Sequence, residues 1–137
     1  MPEHSCRAAV LFCMDFRFRK ILDDFLEREG LDEDQADVIR LPGAAKNLAR
    51  PANERDREIL YEAFQISYDL HEARQFYVIN HEDCGAYGPE LVADDAEELA
   101  VHRQDLRTAR DMCKERFPDV EVIPCFAWLD GRVDRVE

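Results

Sequence analysis

Apolar runs and stretches of helical periodicity alternate along the chain. Residues 7–13 (RAAVLFC) are almost wholly apolar, the pattern of a strand buried on both faces. Phe18, Ile21, Leu22, Phe25 and Leu26 then recur at helical spacing, and Gly30 supplies a stop. Residues 37–41 (DVIRL) read as a second strand closed by the Pro42-Gly43 turn signal. Asn53 is placed to cap a helix carrying Ile59, Leu60, Ala63, Ile66 and Leu70 on one face. Residues 75–80 (QFYVIN) form a third strand. Residues 94–117 form a long acidic helix, with Leu99, Leu106 and Cys113 seven apart and Pro118 ending it. Residues 120–128 (VEVIPCFAW) form a fourth strand, and Asp130-Gly131 turns the chain into a short tail.

Strand–helix alternation of this kind predicts an α/β fold with three layers, a mainly parallel sheet with helices on both faces. The predicted strand order is 2-1-3-4, in a sheet of four or five strands. Residues 1–137 are expected to form a single domain. In such a sheet, ligands bind beyond the strand C-termini where the strand order reverses. Order 2-1-3-4 puts that point between strands one and three, whose ends carry Cys13 and His81-Glu82-Asp83-Cys84.

Composition narrows the chemistry. Thirty-one acidic against 18 basic residues give a net charge of −13. That excess excludes nucleic acid, whose recognition rests on Lys and Arg, and also docking on anionic lipid. No apolar run approaches the ~20 residues of a membrane span, and no secretory signal pattern is evident. A cytoplasmic location is expected. Five cysteines cannot all pair within one chain, so in a reducing compartment free thiols, a metal site or a reactive cysteine are the expectation.

Two thiolates and one imidazole, from Cys13, His81 and Cys84, make a set that binds zinc. Cys13 and His81 each have a plainer reading alone, as a small buried thiol and a hydrogen-bonded structural histidine. Their conjunction at adjacent strand ends favours the metal. Zinc wants a fourth ligand, and Asp15 can take that position in a closed state. Arg17 can instead pair with Asp15 and turn it away, leaving the position open. Cys13 and Arg19 also satisfy C-x5-R, the thiol-phosphatase spacing, but bulky Met14, Phe16 and Phe18 and anionic Asp15 oppose a phosphate there. Cys6, Cys113 and Cys125 read as bystander thiols. His4 with Cys6 is a metal-capable pair on a terminal segment expected to be loose. His71 sits near a helix end, His102 is expected on the solvated face of the acidic helix, and Glu82 and Asp83 are turn residues beside two of the candidate ligands.

Cys13-Met14-Asp15-Phe16-Arg17 followed by His81-Glu82-Asp83-Cys84-Gly85 resembles the C-x-D-x-R … H-x-x-C-G signature of the β-class carbonic anhydrases. The likeness runs in order over roughly residues 7–131, through the strand ending in Arg40 and the Gly43 turn. The resemblance implies one Zn2+ per chain on Cys13, His81 and Cys84. It implies Asp15 and Arg17 as a catalytic dyad that aims a zinc-bound hydroxide at carbon dioxide, reversibly giving bicarbonate. Gly85 would border the substrate, with Phe16, Leu41, Ala44 and Tyr87 as candidates for a dry, narrow wall. A homodimer or higher even oligomer is implied as well. The chain departs from the family at Phe16, where Ser is usual, and at Arg40-Leu41-Pro42-Gly43-Ala44, where R-N-A-G-N is usual. It also begins almost at strand one, where the family carries dimer-wrapping helices. Two further readings of the same site are a non-catalytic zinc-binding module and a hydrolase of carbon disulfide or carbonyl sulfide.

Overall fold

A computed structural model describes residues 4–92 and 94–137. Five strands, β1 (Ala8–Phe12), β2 (Ala36–Arg40), β3 (Gln75–His81), β4 (Glu121–Ala127) and β5 (Val133–Arg135), form one sheet in the order β2-β1-β3-β4-β5. The first four are parallel and follow the predicted order, and β5 pairs antiparallel to β4. That last pair is a hairpin turned at Gly131, whose φ of 100° suits glycine.

The near-continuous apolar runs have a simple cause. On β1, Ala9 and Leu11 face one core cluster, while Ala8, Val10 and Phe12 face another. On β3, Phe76 and Val78 alternate in the same way with Tyr77 and Ile79. Both faces are therefore covered, as parallel sheets require. Helix α1 (Arg19–Arg28) covers one face through Leu22 and Phe25. Helices α2 (Lys46–Ala49), α3 (Glu54–Leu70) and α5 (Asp95–Arg116) cover the other, and α4 (Pro89–Val92) is a single turn before α5.

Helix ends follow the sequence signals. Asn53 Oδ1 accepts from the Arg55 amide at 2.8 Å, and Asp94 Oδ1 accepts from the Glu97 amide at 3.0 Å. The face of α3 differs from the predicted one. Leu60, Phe64 and Ser67 are buried, whereas Ile59, Ile66 and Leu70 are exposed. Phe64 stacks on Phe76 with ring centroids 4.5 Å apart, and that aromatic pair sets the helix's rotation. Helix α5 holds a second departure. Glu98, His102 and Asp105 are buried together with Leu106, Ala109 and Cys113, so the core-facing stripe is half polar.

Candidate metal centre

Strand order alone brings the C-terminal ends of β1 and β3 side by side, with Leu11 in register with Val78. Cys13 leaves β1 one residue past its end, His81 closes β3, and Cys84 follows in the next turn. Their donor atoms all lie within 4.8 Å of one another, and all three residues are buried. His81 is fixed by packing, its ring 4.3 Å from that of Phe18 and stacked on Phe12 at 6.2 Å. Its Nδ1 lies 2.6 Å from the Glu82 carbonyl oxygen, so Nδ1 carries the proton and Nε2 keeps its lone pair. Among the described residues, that Nε2 is buried without a hydrogen-bond partner. An orphaned imidazole nitrogen is costly unless something binds it. Facing two buried sulfurs, it fits a thiophilic cation of zinc's kind.

The two sulfurs influence each other's protonation. Cys13 is held well below the ordinary thiol value, first by the neighbouring Cys84 thiol and also by the Gly43 amide, 3.5 Å from its Sγ. Cys84 is pushed up. Gly43 has φ 85°, and a Cβ there would meet that of Ala86 at 3.2 Å, so the turn needs glycine to bring its amide to the sulfur.

Asp15 and Arg17 do pair. Asp15 Oδ1 accepts from the Arg17 amide at 2.9 Å, and Oδ2 accepts from Nη2 at 2.6 Å. These bonds hold the carboxyl below its ordinary value. The same Asp15 Oδ2 lies 3.9 Å from His81 Nε2. Arg17 is itself anchored, with Nη1 2.8 Å from Asp83 Oδ2 and Nη2 2.9 Å from the Asp83 carbonyl oxygen. An open pocket of about 540 Å3 reaches this centre, lined by Cys13, Met14, Asp15, Phe16, Arg17, Pro42, Asp83, Gly85 and Ala86.

Phe16 and Gly85 line this pocket, and Leu41, Ala44 and Tyr87 are not among its lining residues. Ala44 is fully buried, and Leu41 packs against the core cluster under α2 and α3. Tyr87 turns its hydroxyl inward, accepting from Asn80 Nδ2 and donating to Asp105 Oδ2, both at 2.8 Å. Arg19 is exposed on the first turn of α1 and is absent from the lining, against the phosphatase reading.

Three supporting residues escaped the sequence reading. Glu98 accepts the Asp83 amide at 3.0 Å and fixes the loop between His81 and Cys84, where Asp83 has φ 55°. Arg40 donates from Nε to the Cys13 carbonyl at 2.9 Å. His102 is fully buried, not solvated. The Ala45 amide donates to Asn80 Oδ1, which orients Asn80 Nδ2 to donate to His102 Nδ1 at 2.9 Å. His102 Nε2 then carries the proton and has no partner among the described residues. The 98/102/105/109 spacing on α5 was the available signal, and its polar letters concealed it.

Burial pushes His102 down to about 4. Unfolding lets it regain its ordinary value near 6.5, so the unfolded state binds more protons between those limits and stability falls as pH drops through them. Going from about pH 7.5 to about pH 5, this group is expected to cost roughly 2 kcal/mol. Urea unfolding of wild type and His102→Gln at both pH values checks it. The variant should lose that part of the acid sensitivity, and equal losses in the two proteins would contradict the assignment.

The model of a family described as "Putative carbonic anhydrase" matches residues 3–137. The chain belongs to this carbonic anhydrase family. Among curated proteins, it is 32% identical over 131 residues to an uncharacterized protein of Rickettsia conorii, covering 93% of this chain and 70% of that one. It is 30% identical over 132 residues to an uncharacterized protein of Rickettsia bellii, covering 93% and 79%. Among solved structures, the Coccomyxa β-carbonic anhydrase in complex with acetazolamide superposes with a TM-score of 0.62 at 13% identity, covering 96% of this chain and 72% of that one. The β-carbonic anhydrase CcaA superposes with a TM-score of 0.54 at 15% identity, covering 98% and 82%. The fold is therefore that of β-carbonic anhydrases, and the Cys13–His81–Cys84 cluster lies at the strand ends of that carbonic anhydrase fold.

Proposed function

We propose that this carbonic anhydrase homologue interconverts carbon dioxide and bicarbonate at a zinc ion held by Cys13, His81 and Cys84, one in this centre per chain. The observation that carries the reading is the unpartnered, buried Nε2 of His81, which faces two buried sulfurs beside an Arg-clamped Asp15. Zinc in such a donor set supplies a Lewis acid and, at neutral pH, a hydroxide nucleophile. Asp15 would accept a hydrogen bond from the attacking nucleophile and so hold it in place. Arg17 clamps Asp15 through its amide and guanidinium and so would keep that carboxylate from joining the three ligands. Met14, Phe16, Pro42 and Ala86 give the pocket apolar surface suited to a neutral substrate. The net charge of −13 disfavours retention of the anionic product.

Supporting observations extend to assembly and location. Met14 and Phe16 are 62% and 82% exposed at the pocket rim, and β2 is an edge strand. Exposed apolar surface and an open edge support a homodimer or higher even assembly. All five cysteines are free, and no helix among the described residues is long and apolar enough to cross a membrane. These features support a reducing, cytoplasmic setting.

Stopped-flow hydration of carbon dioxide by chelator-stripped and zinc-reloaded protein tests the reaction. Activity is expected to vanish on stripping and return on reloading. Zinc-loaded protein without hydration anywhere from about pH 6 to about pH 9 would instead indicate a closed, non-catalytic zinc module.

A further inference from the structure

A second cluster sits at the opposite end of the sheet, where the strands begin. Cys6 precedes β1, Asp37 is the second residue of β2, and His71 ends α3 ahead of β3. The fold gathers them so that their donor atoms lie within 4.8 Å of one another. Asp37 Oδ2 is the hub, 2.6 Å from His71 Nδ1, 2.7 Å from Ser67 Oγ and 3.8 Å from Cys6 Sγ. The backbone enforces the approach. The Cys6 amide donates to the His71 carbonyl at 2.8 Å, and the amides of His71 and Ala73 both donate to the Ser67 carbonyl, with Glu72 left-handed between them at φ 58°.

We propose that Cys6, Asp37 and His71 bind a second divalent transition-metal ion of zinc's class, separate from the Cys13–His81–Cys84 centre. A thiolate, an imidazole and a carboxylate are a donor set for such ions, and three protein ligands leave one position for water or a further side chain. In a tetrahedral zinc centre, donors stand roughly 3.3–3.8 Å apart, given bonds of about 2.0–2.3 Å. The sulfur–oxygen spacing already matches, and the nitrogen–oxygen pair needs to open by under about 1 Å. All three residues are half-buried and line an accessible pocket of about 350 Å3 together with His4, Ser5, Asp34 and Ala36. His4 or Asp34 therefore offers a fourth donor. Ser67, itself buried, donates its hydroxyl to Asp37, the kind of supporting contact that orients a ligating carboxylate.

The geometry is poor for a nucleophilic cysteine. His71 presents Nδ1 to Asp37 and not to the sulfur, so the imidazole is not placed to deprotonate Cys6. Burial and the Asp37 charge push that thiol up. A bound cation reverses the balance: the thiol proton leaves to solvent, the sulfur binds as thiolate, and the remaining proton of His71 resides on Nε2. The sequence pairs Cys6 only with His4. Folding supplies the two partners 31 and 65 positions further along.

The test is Co2+ titration of metal-stripped, full-length wild type, Cys6→Ser, His71→Gln and Cys84→Ser, read by thiolate-to-cobalt absorption and by metal analysis after desalting. Wild type is expected to hold two ions per chain, Cys6→Ser and His71→Gln one each, and Cys84→Ser only the ion that needs Cys6. These substitutions leave the backbone tie between Cys6 and His71 intact. Uptake and absorption unchanged by both Cys6→Ser and His71→Gln would overturn the proposal. A wild type that holds a single ion, lost in Cys6→Ser but kept in Cys84→Ser, would sustain this site while removing the zinc centre proposed above.

Discussion

Cys84→Ser is expected to empty the Cys13–His81–Cys84 centre of zinc and to lower carbon dioxide hydration on the order of a thousandfold, equivalent to about 4 kcal/mol of transition-state stabilisation. A serine hydroxyl is a far weaker zinc ligand than a thiolate, and only Cys13 and His81 would remain. The substitution also removes the sulfur that donates to Cys13, first among the causes holding Cys13 below the ordinary thiol value. The informative controls are Cys113→Ser and Cys125→Ser. Both thiols are buried, burial pushes each up to about 12, and neither belongs to a metal-capable group among the described residues. Those variants should lose stability and keep the zinc of this centre. Metal analysis, paired with stopped-flow hydration, reads both outcomes. A Cys84→Ser protein that retains this zinc, or retains full activity, would remove the centre from the mechanism.

The division of the five cysteines shows what the sequence could and could not convey. Cys13 and Cys84 could be brought together from the sequence because each follows a strand that the apolar pattern located, and because parallel order 2-1-3 makes those strand ends neighbours. The same reasoning placed Asp15 beside Arg17, two residues apart in a turn. Cys6 was not legible, since its partners come from the start of β2 and the end of α3, and nothing in the local pattern fixes where a helix C-terminus lands. Polar side chains that fold inward were the other blind spot. His102 read as solvated because the helix around it is acidic, yet Glu98, His102 and Asp105 all turn inward. They are buried because the loop amide of Asp83, Asn80 and the Tyr87 hydroxyl give each a partner there. The rotation of α3 failed for a related reason, since Phe64 competes with three aliphatic residues and wins by stacking on Phe76. Sequence periodicity ranks faces by hydrophobicity, whereas the fold ranks them by complementary shape and satisfied hydrogen bonds.

Asp15→Asn is expected to keep the zinc and lower hydration by about a hundredfold at every pH from about 6 to about 9. Asp15 is not among the three converging donors, so metal content should not change. What changes is the acceptor. An amide nitrogen replaces one carboxylate oxygen, so the side chain no longer offers acceptors on both atoms. It also turns a donor toward a guanidinium that presents only donors. Arg17→Ala should produce a comparable loss by a different route. Freed from the guanidinium, the Asp15 carboxylate, already 3.9 Å from His81 Nε2, can turn onto the open ligand position and block it. The two losses should therefore not add: a double variant carrying both changes should be no slower than Asp15→Asn alone, because a side chain without charge is a poor blocker. Co2+-substituted spectra would separate the routes, with Arg17→Ala shifted by the added carboxylate ligand and Asp15→Asn unshifted. Losses that multiply in the double variant would mean that Arg17 acts on the substrate directly and not through Asp15.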